Sequence, residues 1–357
     1  MSSTSKKRKR NNNFQNKFNS LILKSTIVVF SFIMIMVLLF GLLIGTSLYG
    51  NYSKADSNSD KSTKIDFEKN NISILLIKIE DLADEYSLIQ NVFLLNINLK
   101  DNTVGTFELP INMNMEYSDS LGQGDLEKLY AIANAENVKF EDVVKNTIFA
   151  NYAVNIDKYI IVDNSVNDIL DQTFSYNQYS DVPSVIRLKN ITKIKQALEL
   201  ISESSRSNII YVDALKLLNY LRNIDARNFV VISIKSVGGD SFNTLWRKYN
   251  SITDSLQSEQ LKVFIANASV DPKIPGLAGW GKDVIENIGG KVMNIDNSFV
   301  ELEENTIITN SLDYATYKQI AEQFGINNVI LKDDIDITDG YNPEVYRSEI
   351  SVYLVSY

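Results

Sequence analysis

Ile72 to Leu109 reads ISILLIKIEDLADEYSLIQNVFLLNINLKDNTVGTFEL, and its pattern decides the fold class. Ile72–Ile79 and Val92–Leu99 are short runs rich in Ile, Leu, Val and Phe, and Thr103–Leu109 follows at hairpin distance. Each is expected to be a strand. The acidic stretch Glu80, Asp81, Asp84 and Glu85 falls between the first two, where it reads either as an exposed loop or as a cation or base site.

Toward the C-terminus the strand pattern gives way to alternation. After Gly122 and Gly124, Leu126, Leu129, Tyr130 and Ala133 recur at helical spacing, as do Phe140, Val143, Val144, Thr147 and Ile148. Lys158–Val162 (KYIIV) predicts a buried strand, helices are expected at about 191–202 and 212–221, and Phe229–Ile234 predicts another strand. Helices interleaved with strands make residues 72–237 one α/β domain. Residues 238–260, with Phe242, Trp246 and Tyr249, read as a connector containing some helix. A smaller α/β domain, 261–357, is expected to hold strands at Lys262–Ala266, Thr306–Thr309, Asn328–Leu331 and Glu349–Val355. Its helices are expected at Leu277–Ile288 and Leu312–Phe324, the first ending in a left-handed cap at Gly289-Gly290, with Gly290 as the left-handed residue and Gly289 as the alternative.

Toward the N-terminus, residues 49–71 are polar and read as a linker. The preceding segment, residues 27–48 (IVVFSFIMIMVLLFGLLIGTSL), holds no charge and is apolar all round. At a rise of about 1.5 Å per residue it spans a hydrocarbon core of roughly 30 Å, so an uncleaved membrane helix is expected. The tail, residues 1–26, carries Lys6, Lys7, Arg8, Lys9, Arg10, Lys17 and Lys24 and no acid, which places it in the cytoplasm and the bulk of the chain outside it. Removing those seven from the 35 Lys and Arg leaves 28 against 44 Asp and Glu, a formal −16 for the remainder. So acidic a surface argues against a nucleic-acid partner.

The chain has no cysteine and no histidine. Thiol nucleophiles, zinc sites of the usual kind, Ser-His-Asp triads and disulfides are excluded, and a cysteine-free ectodomain points to a bacterial source. Any catalysis would draw on carboxylates, Lys, Arg, Tyr, Ser or an oxygen-ligated cation. Asp333, Asp334, Asp336 and Asp339 with Gly340 suggest a Ca²⁺ loop but lack the required spacing, so a solvated turn explains them better. Gly276, Gly279 and Gly281 open a helix after a strand without the full dinucleotide order, and read as helix entry and close packing. Trp280, beside them, either stacks on a glycan ring or packs inward.

Leu261–Ser298 (LKVFIANASVDPKIPGLAGWGKDVIENIGGKVMNIDNS), TIITNSLDYATYKQIAEQFG and the closing EISVYLVSY together resemble the LytR C-terminal domain. ISILLIKIED, VFLLNINLKDNTVGTFELP and KLYAIANAENVKFEDVVKNTIFANYAVNIDKYIIVD resemble the LytR-CpsA-Psr domain of cell-wall polymer ligases. The resemblance implies a central-sheet α/β fold, an envelope location, and cell-wall glycan or envelope proteins as partners. It also implies an Arg-x-Asp before the second strand and an Arg-Asp after the Pro that follows the next, which hold a lipid pyrophosphate and Mg²⁺. Here Leu88, Gln90, Ile111 and Asn112 stand in those places, so no catalytic residue, cofactor or metal ligand is assigned. Arg187 and Lys189 either retain a phosphate contact or are simply solvated. Three functions remain open: a non-catalytic binding or scaffolding relative of the ligases, an active Mg²⁺-dependent phosphotransferase moving polyprenyl-pyrophosphate-linked glycopolymer onto peptidoglycan, and an envelope sensor or complex subunit.

Overall fold

The computed structural model describes residues 65, 67, 70–118, 121–164, 205–209, 213, 216–217, 220–221, 223–250, 254–270, 274–336 and 339–357. The expected tail and membrane helix, nearly all of the linker, the helix at 191–202 and half of the one at 212–221 lie outside these residues. Among the described residues, no helix is long and apolar enough to cross a membrane.

The first unit opens with strands β1 (Asn71–Ile79), β2 (Ile89–Asn98) and β3 (Thr103–Leu109) as an antiparallel meander, in which Ile77 faces Val92 and Leu94 faces Phe107. A small hairpin follows, β4 (Asn114–Glu116) with β5 (Gln123–Asp125), then helices α1 (Leu129–Ala135) and α2 (Phe140–Tyr152). Strands β6 (Lys158–Val162), β7 (Ser205–Ser207) and β8 (Phe229–Ser233) complete a six-stranded sheet of order β7-β6-β1-β2-β3-β8. Apart from Ser73 and Lys78, β1 is apolar at successive positions from Ile72 to Ile79 because both faces are covered. Leu75, Ile77 and Ile79 join the core beneath α1 and α2, and Ile72, Ile74 and Leu76 are buried on the other face. In α2, Phe140, Val143, Val144, Thr147 and Ile148 form the buried stripe that the spacing predicts.

The segment read as a connector divides in two. Helix α3 (Gly239–Tyr249) belongs to the first core: Phe242, Trp246 and Tyr249 surround Phe107 with ring centroids 5.7, 5.4 and 6.1 Å away. Three aromatics at 242, 246 and 249 have helical i, i+4, i+7 spacing, which makes one face of α3 apolar. Helix α4 (Asp254–Glu259) serves the second unit, where the Glu259 carboxylate accepts the Ala315 and Thr316 N–H groups at 2.7 and 2.8 Å.

That second unit comprises β9 (Lys262–Asn267), α5 (Leu277–Asn287), β10 (Lys291–Asn297), β11 (Thr306–Thr309), α6 (Ala315–Phe324), β12 (Asn328–Leu331) and β13 (Ile350–Leu354). Its five-stranded sheet runs β10-β9-β13-β11-β12. Helices α5 and α6 cover one face over Val263, Ile265, Ile307 and Val352, while Phe264, Ile308 and Tyr353 pack on the other with Val345. Of the three glycines read as helix entry and close packing, Gly281 alone is tightly packed: a Cβ there would meet Leu354 Cδ1 at 2.5 Å, whereas one at Gly276 or Gly279 would meet nothing within 4 Å, Gly276 being the left-handed residue before α5.

The end of α5 corrects the sequence expectation in detail. Gly289, at φ 94°, is the left-handed residue, and Gly289 N–H and Gly290 N–H donate to the Glu286 and Ile285 carbonyls at 3.0 and 2.8 Å. These two bonds define a Schellman cap. Gly290 does not need a left-handed backbone. It is required for space, because a Cβ there would sit 2.5 Å from Ile285 Cγ2 and 3.0 Å from the Ile285 carbonyl oxygen.

Candidate functional site

Strands β6 and β8 run parallel to their neighbours β1 and β3, so the carboxyl ends of β1, β3, β6 and β8 and the start of β2 share one end of the first sheet. In an α/β sheet the loops at the carboxyl ends are where a ligand crevice forms. The positions singled out from sequence, Leu88 and Gln90 before β2 and Ile111 and Asn112 after β3, all fall at this end. Gln90 and Ile111 each lie two residues along the chain from Val92 and Leu109, the pair that ends the β2–β3 ladder. Glu127 N–H donates to the Ile111 carbonyl at 3.0 Å, and the Ile111 side chain packs against the main core; Leu88 is 37 % exposed. None of the four carries charge. Arg187 and Lys189 lie outside the described residues.

The acidic loop after β1 is occupied with its own backbone. Asp81 Oδ1 accepts the Ala83 N–H at 2.8 Å and Asp84 Oδ1 the Tyr86 N–H at 3.0 Å, the local turns that Asp favours. Asp339 likewise accepts the Asp336 N–H at 2.8 Å. Among the described residues no group of three or more Asp or Glu is placed to hold a metal ion.

Trp280 sits at the junction of the two units. Its indole N–H donates to the Phe149 carbonyl at 3.1 Å, and Phe149, Phe324 and Tyr357 surround its ring edge-to-face with centroids 5.0, 5.5 and 5.0 Å away. The α5 side chains continue this docking. Arg247 of α3 donates through Nε to Asn287 Oδ1 at 3.0 Å and pairs with Glu286 at 2.9 Å and Asp283 at 3.4 Å. Burial pushes the Asp283 carboxyl up from its ordinary value, and the Arg247 guanidinium opposes that shift.

Sequence reasoning missed a second feature, a cleft of about 310 Å³ between the units, at the amino ends of β1 and β6 and so at the far end of the sheet from Leu88 and Ile111. The signal was present in VFLLNINL, where Asn96 and Asn98 interrupt an apolar strand. Both are buried, and Asn96 lines the cleft. A polar side chain retained in a strand core is a sharper flag than any exposed charge.

No family model matches the chain, and no curated protein matches it. Among solved structures the chain is similar to the transcriptional regulator yvhJ of Bacillus subtilis, with 17% identity, covering 47% of this chain and 83% of that one, at a TM-score of 0.34. It is also similar to TagV of Bacillus subtilis, with 16% identity over 47% of this chain and 85% of that one and a TM-score of 0.34. A structure described as TagT bound to LI-WTA gives 12% identity over 48% of this chain and 81% of that one, with a TM-score of 0.33.

Proposed function

We propose that the chain is a membrane-tethered envelope protein whose first unit is a non-catalytic relative of the cell-wall polymer ligases, coupled to a C-terminal module of LytR type, and that it acts by binding or scaffolding. The observation that carries this reading is the neutral character of Leu88, Gln90, Ile111 and Asn112 at one end of the first sheet, with Ile111 committed to the core. Holding and cleaving a lipid pyrophosphate takes converging cations, and loss of a single stabilising donor elsewhere costs roughly 10²- to 10³-fold in rate. Full-length chain reconstituted in lipid vesicles with Mg²⁺, a polyprenyl-pyrophosphate glycan and peptidoglycan is therefore expected to transfer no polymer above the protein-free background. Transfer above background would overturn the non-catalytic reading in favour of an active phosphotransferase.

The tether itself is tested separately. In the reading proposed, the seven basic residues before residue 27 hold the N-terminus in the cytoplasm. Protease added to intact spheroplasts is then expected to digest the chain beyond about residue 51 and to spare an N-terminal tag. Loss of the tag from intact spheroplasts would reverse the orientation.

A further inference from the structure

The two edges of the second sheet differ in character. At β12 all four residues are half-buried, and Lys332 just beyond it donates to the Ser348 carbonyl at 2.7 Å. At β10 the pattern is reversed, with six of seven residues exposed and only Val292 half-buried. Met293 and Ile295 are 40 and 41 % exposed, and Phe299, two residues past the strand, is 65 % exposed. Three large apolar side chains exposed within seven residues of one sheet edge form a patch and not a scatter.

An open sheet edge offers a row of N–H and C=O groups to another strand, and proteins commonly close it with Pro, Lys or a bulge. Between Val292 and Asn297 there is no Pro and no Lys. The β9–β10 register does slip between Val292 and Asn294, but this bulge lies near the start of the strand, and Asn294–Asn297 pair one to one with Phe264–Asn267. Ser298 N–H donates to the Asn267 carbonyl at 2.8 Å. By the alternation of a ladder, Asp296 therefore also turns its backbone to β9, while Ile295 and Asn297 turn theirs outward. Asn297 N–H is taken by Asp296 Oδ1 at 2.8 Å, which leaves Ile295 as the outward-facing position at the middle of the strand.

We infer that β10 pairs antiparallel with β10 of a second copy of this chain, about a two-fold axis at Ile295, joining two five-stranded sheets into one. Such an isologous contact requires a strand complementary to itself. In this register Ile295 faces Ile295, and Asn294 of each copy faces Asp296 of the other, an amide donor against a carboxylate. Moving the axis to Asp296 would set acid against acid, and moving it to Asn294 would set Asp296 against Val292, so side-chain chemistry selects Ile295. The antiparallel sense also brings the Lys291 end of each strand to the Asp296 and Phe299 end of the other, whereas a parallel pair would align like charges. The pairing does not depend on whether the first unit is catalytic. A contact of one strand pair lies at the low end of interface sizes, so a Kd of roughly 1–100 μM is expected.

The test exploits the absence of cysteine from the chain. Full-length chain in detergent is prepared as single-cysteine variants and mildly oxidised. Opposed Cα atoms in such a pair lie about 5.5 Å apart, within disulfide reach, so Ile295→Cys should link to its own copy. Tyr86→Cys, at a more exposed position (77 %) on the first unit, meets a second copy only by collision. It should link at least about 10-fold more slowly, because linkage within a formed dimer proceeds at a higher effective concentration. Sedimentation of the unsubstituted chain should show a monomer–dimer equilibrium. Ile295→Lys sets like charges opposite each other and should weaken that equilibrium by about 10-fold or more, with the melting temperature of the monomer unchanged. Should Ile295→Lys fail to fold, the two cysteine variants decide alone. Equal linkage rates at 295 and 86, a chain monomeric at about 200 μM, or a dimer undiminished by Ile295→Lys would overturn the assignment, the last because it would place the contact elsewhere in the chain.

Discussion

Gly238→Ala is expected to lower the stability of the first unit by more than about 3 kcal/mol, seen as a fall in the urea midpoint followed by tryptophan fluorescence. Gly238 precedes α3 at φ 54° and ψ −149°, a conformation essentially closed to residues with a side chain. A Cβ there would also overlap the Asn151 carbonyl oxygen, a backbone atom in the last turn of α2. That turn cannot easily retreat, because Asn151 Nδ2 ties it to the Glu116 carbonyl at 2.7 Å and the Thr147 carbonyl at 2.8 Å. The helix displaced would be the one that carries Phe242 and Trp246 into the core. Gly239→Ala is the control: Gly239 has φ 78° but nothing near its missing Cβ, so only the left-handed preference is lost, about 1 kcal/mol. Equal midpoints for the two variants would show that the approach to Asn151 is not what fixes glycine at 238.

Why α3 belongs to the first core and not to a linker was only half legible in the sequence. The aromatic spacing at 242, 246 and 249 announces an apolar helix face, but nothing local says which sheet it covers. The answer depends on Phe107, more than a hundred residues earlier, reaching that face. The strands were legible because burial on both faces leaves runs such as ISILLIKI with no other stable fate, and the helix stripe of α2 likewise. The cap of α5 was legible as a glycine pair, yet which glycine takes the left-handed turn is decided by where the last carbonyls lie, and Gly289 sits one residue nearer to them. The neutral positions 88, 90, 111 and 112 could be read singly from sequence; that they gather at one end of the sheet is a property of strand order. The amide cleft was the least legible feature, since its residues come from elements as distant as β2, α3 and α6 and meet only through the docking of α5.

That docking turns on Asn287, and Asn287→Leu is expected to cost about 3–5 kcal/mol and to part the two units. Asn287 is 2 % exposed and spends every polar atom of its amide across the junction. Its Nδ2 donates to the Ala153 carbonyl at 3.2 Å and to Asn243 Oδ1 at 3.0 Å, and its Oδ1 accepts from Arg247 Nε at 3.0 Å. Its backbone carbonyl takes a further bond from Asn250 Nδ2 at 2.5 Å. Leucine fills a similar volume but leaves the buried Ala153 carbonyl and the buried Asn243 Oδ1 without their partner, each at about 1–3 kcal/mol, and removes the acceptor of the half-buried Arg247 Nε–H. Arg247 keeps its ion pairs with Glu286 and Asp283, so no ion pair is lost; two of the three lost bonds are neutral and the third joins the guanidinium to an amide, and the cost should depend little on salt. Arg247→Ala differs in a way that pH reveals. Burial already raises the Asp283 carboxyl, and removing the guanidinium that opposes this raises it further. A carboxyl whose folded value lies above its unfolded one favours folding below the unfolded value and loses that contribution as pH rises through the folded value. Arg247→Ala should therefore be most defective near neutrality and recover in part under mild acid, whereas Asn287→Leu should show no such recovery. Calorimetry of the full-length chain across pH distinguishes them: a single unshifted transition for Asn287→Leu, or the same pH dependence for both variants, would remove Asn287 as the residue that joins the two units.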